Sequence, residues 1–445
     1  MKSREAGLGT SDIRRLLRRQ AIPASAGILF MTSNLVVDTV LVGQWVGPIA
    51  IAALAVVTPL VFFIASIGFS LGIGGSSVVS RALGAGHHQK AKQAFAHQIM
   101  LTALLSAVFC ALILFMPEKA LILFGAKGGI TKPALEYLYP VIAVAPLQAL
   151  ASMANSVIRA EGKPKVAMQA VMIASFSNIA FDFLFIYALE WGLLGAGLAT
   201  AVSITASFTF VLFHFFKSDL RPSLEHFAPK WQITREISAL SFTTFARQSV
   251  ITVLSGILNN SLFAHGGEHG VTIYGIISRM LMFALFPVNG ITEGFLPVAG
   301  YNFGAKKIQR VRESIVVSIK YAGGLAIVIY VLILIFAYEI VSIFSSDPAV
   351  LRDAPNAMRW VFAASPVIAL QLIGAAYFQA AGQAKRALML TLTKQGFFLI
   401  PLVLILPEYF GIFGIWVSFP IADILATAVT AGFLAKAFRT TLKKS

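Results

Sequence analysis

Gly304-Ala305-Lys306-Lys307-Ile308-Gln309 echoes Gly84-Ala85-Gly86-His87-His88-Gln89 at a distance of 220 residues. The likeness runs without gaps over 84–165 and 304–385, where 19 of 82 positions are identical. Some matches are apolar and follow from composition alone, but Pro146/Pro366, Gly162/Gly382 and Lys165/Lys385 are more informative. The register then slips by one residue and resumes at Gly192/Gly411 and Gly195/Gly414. The chain is 58% hydrophobic and 12% charged, with a mean hydropathy of +0.81. Soluble domains carry about a quarter charged residues. A long duplication in so apolar a chain is the pattern of a secondary transporter, whose two similar halves enclose a site at mid-membrane.

About twelve mostly apolar runs, from 21–46 to 411–437, are each long enough to cross a hydrocarbon core of about 30 Å. With six per half, both copies start from the same side, so the halves are expected to be related by an axis along the membrane normal. The fold expected is an all-α membrane protein of twelve transmembrane helices in two pseudo-symmetric six-helix lobes. The lobes are residues 1–216 and 231–445, joined by a polar connector at 217–230 that contains Pro222 and Pro229. The interface between them is the expected ligand cavity.

A net charge of +16 raises nucleic acid as a partner until the charge is placed. With the N-terminus inside, alternate loops and tails hold 26 Lys and Arg on the inner side and 5 outside. The outer five are Lys119, Lys127, Lys132, Arg352 and Arg359, and four more lie within apolar runs. That is a positive-inside signal, with both termini cytoplasmic in a cell membrane and no nucleic-acid partner. A single cysteine, Cys110, excludes internal disulfides and Cys-based metal sites, and its expected role is packing.

An ionisable side chain inside a span costs at least about 2.5–3.5 kcal/mol and needs a reason. The first half has two, Asp38 and Asp182, with Asn178 one turn before Asp182 on the same helical face. Two carboxylates and an amide sharing a pocket can take up a proton, because like charges out of water resist being ionised together. The same oxygens of Asp38, Asn178 and Asp182 could coordinate Na⁺, or the acids could simply tie helices together. In the second half Lys394 and Asp423 are expected to form a buried pair. Glu293, among Gly290 and Gly294, is either a substrate contact or the partner of Arg279. Met280 and Phe283 belong to a flexible aromatic cluster suited to flat cations, although most membrane aromatics face lipid or a neighbouring helix.

Tyr301-Asn302-Phe303-Gly304-Ala305-Lys306, its twin Arg81-Ala82-Leu83-Gly84-Ala85-Gly86, Arg159-Ala160-Glu161-Gly162 and Pro420-Ile421-Ala422-Asp423 together resemble the multidrug and toxic compound extrusion (MATE) family. Asp38-Thr39-Val40-Leu41-Val42-Gly43 fits as well, and the order is collinear over the whole chain. Within the family the sequence more resembles the DinF-like branch, which is associated with a first-lobe pocket built on acids matching Asp38 and Asp182, with Asn178 alongside. Tyr139, Asn155 and Thr200 match its supporting polar positions. A branch coupled to sodium through acids in spans seven and ten is matched poorly, since those interiors offer Asn259, Asn260 and Gln371.

The resemblance implies export of amphipathic, often cationic drugs in exchange for protons by alternating access. The coupling ion is H⁺, or Na⁺ in the alternative, with no other cofactor, no enzyme activity and no obligate protein partner beyond the lipid bilayer. A lipid-linked glycan flippase is the other alternative; it would want a strongly cationic cavity, whereas here acids accompany the few basic residues within spans. No Gly-x-x-x-x-Gly-Lys-Ser/Thr phosphate loop marks a primary pump.

Overall fold

The computed structural model describes residues 6–126 and 128–443; Lys127 and both chain ends lie outside the described residues. Every regular element among the described residues is helical. In the first half the long ones are α1 (Ile13–Trp45), α2 (Pro48–Gly84), α3 (His88–Phe115), α4 (Thr131–Ala160), α5 (Pro164–Ala188) and α6 (Gly192–Phe216). The second half follows with α7 (Trp231–Gly304), α8 (Ile308–Phe344), α9 (Pro348–Val361), α10 (Ser365–Ala380), α11 (Ala384–Phe410) and α12 (Ile412–Arg439).

Ten of these helices are long and apolar enough to span a membrane. The 74-residue α7 is two spans, because Gly267 breaks it at φ 58°, ψ −156°, a conformation that is easy only without a Cβ. The shorter α9 and α10, bent by 43° at their junction, make one broken span between them. With α7 counted twice and this pair once, the twelve expected crossings are accounted for.

The duplication is visible in the backbone. Gly162 and Gly382 both turn at φ 78°, while Gly192 and Gly411 do so at 55° and 57°. Opposite Gly86, at φ 77°, the second copy forces Lys306 into the same left-handed region, at 56°. The local chemistry has diverged at that turn, but the path of the chain has not.

Two compact units emerge, Ala26–Ser241 and a second made of Met1–Ser25 with Phe242–Ser445. These cuts fall elsewhere than the expected lobe ends at 216 and 231, and close backbone packing explains both. A Cβ on Gly294 would sit 2.8 Å from the Ala21 nitrogen, and one on Gly290 would sit 2.6 Å from Ser25 Cα, so the start of α1 lies directly on α7. Ahead of it, Asn302 donates to the Leu8 carbonyl at 3.0 Å, Lys307 to Gly9 at 2.8 Å and Arg310 to Ser11 at 2.6 Å. Conversely, a Cβ on Gly74 would meet Ser241 Cα at 2.7 Å, which holds the first turns of α7 against α2.

Within the unit Ala26–Ser241 the core runs along α2 and α4 and includes Leu60, Ile64, Leu138, Ile142 and the expected packing residue Cys110. The helices touch backbone to backbone, since a Cβ on Gly68 would lie 2.6 Å from Ala149 Cα. The other unit has its own core, with Leu258, Ile277, Met358, Phe362 and Trp416 among its members.

Candidate functional site

Asp38 and Asp182 come together. Asp38 lies on α1 and is 9% exposed; Asp182 lies on α5 and is fully buried. Their side chains interact directly. Two ionised carboxylates have no proton to share, and both oxygens of Asp182 and Oδ1 of Asp38 lack a hydrogen-bond partner. Buried acceptors are nearly always satisfied, so three orphans in one pair mark a place that wants a proton or a cation.

The surrounding polar groups are ordered. Asn34, one turn before Asp38, donates through Nδ2 to Asn178 Oδ1 at 2.9 Å and reaches the Ser175 carbonyl at 3.4 Å. Asn178 in turn donates through Nδ2 to Thr200 Oγ1 on α6 at 3.5 Å. From α4, the Tyr137 hydroxyl bonds Thr200 and lies within the field of both carboxylates. Immediately after Asp182 the helix widens into a π-helical stretch, Phe183–Ala188. Such wide turns are rare and concentrate at functional sites.

Asn178 and Thr200 therefore join the network around the acids. Tyr139 does not, being 48% exposed. Residues 137, 138, 141, 142 and 145 form the buried stripe of α4, and at 100° per residue Tyr139 falls off it. The tyrosine at the site is Tyr137. Asn155 is buried with Oδ1 unpartnered, but eighteen residues of helix separate it from Tyr137, roughly 27 Å of rise, so it is not part of this cluster. Asn34 and Tyr137 were both missed from sequence. Asn34 carried a usable signal, since it is spaced from Asp38 as Asn178 is from Asp182.

Met280, Phe283 and Glu293 belong to the other unit. Met280 packs against its hydrophobic core, and Phe283 is 37% exposed. Glu293 interacts electrostatically with Arg247, a partner not anticipated for it. The glycines flanking Glu293 were expected to give a substrate room, but the backbone of α1 fills that space at Ala21 and Ser25. Lys394 and Asp423 pair as expected, at 2.5 Å and with side chains 15% and 2% exposed. No group of three or more His, Cys, Asp or Glu among the described residues could hold a metal ion.

The MatE family model matches residues 23–184 and, a second time, residues 245–405. The chain belongs to the MATE family. As a MATE protein it is a membrane-embedded transporter. The multidrug export protein MepA of Staphylococcus saprophyticus is 26% identical over 415 residues, covering 93% of this chain and 91% of that protein. MepA of Staphylococcus aureus strain N315 is 24% identical over 417 residues, covering 93% and 92%. Among solved structures, the outward-facing conformation of a multidrug resistance MATE family transporter superposes with a TM-score of 0.92. That structure is 25% identical, and the match covers all of both chains.

Proposed function

We propose that this MATE transporter exports amphipathic, cationic drug-like compounds in exchange for protons, by alternating access, with Asp38 and Asp182 as the proton carriers. The observation that carries the reading is the carboxyl pair with three partnerless buried oxygens. One proton between the two groups supplies the missing donor and removes the like-charge repulsion; a second leaves the pair neutral. Deprotonated, the pair holds up to two negative charges with which a cationic drug can be counterbalanced. Asn34 and Asn178 tie α1 to α5 beside the acids, and Thr200 and Tyr137 extend that network to α6 and α4. The names of the staphylococcal relatives support drug-like cargo. A cell membrane with both termini in the cytoplasm is supported by the 26 to 5 division of basic residues.

Proton coupling is favoured over sodium because the oxygens of the site left without a donor all belong to the two carboxylates, which a proton satisfies directly. Each proton that moves inward across 100 mV provides about 2.3 kcal/mol, and each unit of pH difference about 1.4 kcal/mol more. The test is substrate efflux from sealed vesicles under separately imposed proton and sodium gradients. The proton gradient should drive it, and Asp182→Asn should abolish that drive in a folded protein. If the Asp38→Asn/Asp182→Asn double variant still moves protons on substrate addition like the parent, the pair is structural.

A further inference from the structure

On the basic face of the unit Ala26–Ser241, a cleft of about 550 Å³ opens between the start of α3 and the start of α7. Lys90, Gln93, Lys230, Trp231, Gln232 and Glu236 line it. Neither the carboxyl pair nor its hydrogen-bond network reaches these residues. The one acid, Glu236, is held by Arg81 at 2.8 Å and Lys90 at 3.5 Å, so its charge is compensated within the protein. Lys230 has no carboxylate within ion-pair distance among the described residues. The net field in the cleft is therefore positive, and two side-chain amides stand beside the lysines as hydrogen-bond donors.

Hydrogen bonds pin the walls together. The Lys230 amide donates to His97 Nε2 at 3.0 Å, and His226 bonds Gln89 at 2.5 Å, which fastens the connector to α3. This anchored segment nevertheless presents two large apolar side chains outward, Leu224 at 91% exposed and Trp231 at 75%. Exposed Trp and Leu among lysines, just before a span begins, are what a surface lying in the membrane interface presents.

We propose that this cleft binds the phosphodiester headgroup of an anionic phospholipid from the cytoplasmic leaflet. The phosphate would bridge Lys90 and Lys230, with Gln93 and Gln232 on its oxygens or glycerol and Trp231 against the upper acyl chain. The inner leaflet is anionic, and each lysine near it contributes about a factor of five in affinity.

The test uses the purified full chain in detergent, titrated with short-chain phosphatidylglycerol and read by tryptophan fluorescence. Lys90→Gln/Lys230→Gln should weaken binding roughly thirtyfold, and Lys230→Gln alone, which breaks no ion pair, roughly fivefold. Lys436→Gln/Lys443→Gln removes the same charge from exposed positions of the other unit that do not line the cleft and should change little. Equal losses in that control would replace the site with diffuse electrostatics. Phosphatidylcholine binding as tightly as phosphatidylglycerol, or inorganic phosphate competing at equal concentration, would overturn the anionic-lipid assignment.

Discussion

Glu161→Ala should be among the most damaging single changes outside the spans. Glu161 follows α4, is 4% exposed, and receives three partners. Lys163 approaches at 3.0 Å, His214 Nε2 at 2.8 Å from the last turn of α6, and the Ser218 hydroxyl donates to the other oxygen. Ser218 in turn accepts from the Leu220 amide at 3.1 Å, so the carboxylate ties α4, α6 and the start of the connector together. Burial alone pushes this carboxyl up; His214, Ser218 and the Lys163 charge outweigh it and hold it below its ordinary 4.5. Hydrogen bonds to a charged group contribute about 1.5–3 kcal/mol each, and breaking a buried charged cluster from one side costs about 3–5 kcal/mol. The alanine variant should lose an amount in that range, and Glu161→Gln, which keeps one acceptor, roughly half. The pH sign follows from the lowered value. The stabilisation is complete above the unfolded carboxyl value and disappears as pH falls through the folded one. Thermal unfolding of the purified protein, followed across acidic pH, measures both effects. A Glu161→Ala protein within about 1 kcal/mol of the parent, or a parent and variant with the same acid dependence, would refute the reasoning.

Three further outcomes are expected. Tyr137→Phe should impair efflux without unfolding the protein, because it removes one of the two partners of Thr200 and the one hydroxyl of α4 within the field of the acids, whereas Tyr139→Phe should leave efflux unchanged; drug efflux from cells expressing each variant decides this. Lys394→Met should destabilise by about 3–5 kcal/mol by leaving Asp423 unpaired, and Lys394→Met/Asp423→Leu should recover most of it, as a double-mutant cycle on thermal unfolding would report. Single cysteines at Gln44 and Glu408 should react with an impermeant thiol reagent from outside, and those at Gln89 and Lys306 should not; reversed labelling would invert the topology read from the basic residues.

Much of the site was legible because the bilayer makes a charge conspicuous. Asp38 and Asp182 stood out as acids in apolar runs, and helical spacing joined Asn178 to Asp182. That spacing does not say which face of α4 looks inward; Tyr137 is buried, and Tyr139, two residues and about 200° away, is not. Glu293 depends on tertiary structure in a related way. Small neighbours signal close approach, and whether a substrate or a helix makes the approach depends on residues about 270 positions earlier in the chain.

The sequence by itself determined the solvent, the number of spans and the doubling of the scaffold. Those properties rest on local hydropathy and on a repeat that survives wherever the backbone must turn, as at Gly162 and Gly382. Tertiary structure alone decided which unit owns the ends of α1 and α7, because backbone contacts at Gly294 and Gly74 outweigh chain order. It also decided that the two acids meet. One is on α1 and the other on α5, 144 residues apart in sequence, and only packing brings two like charges to one point inside a membrane.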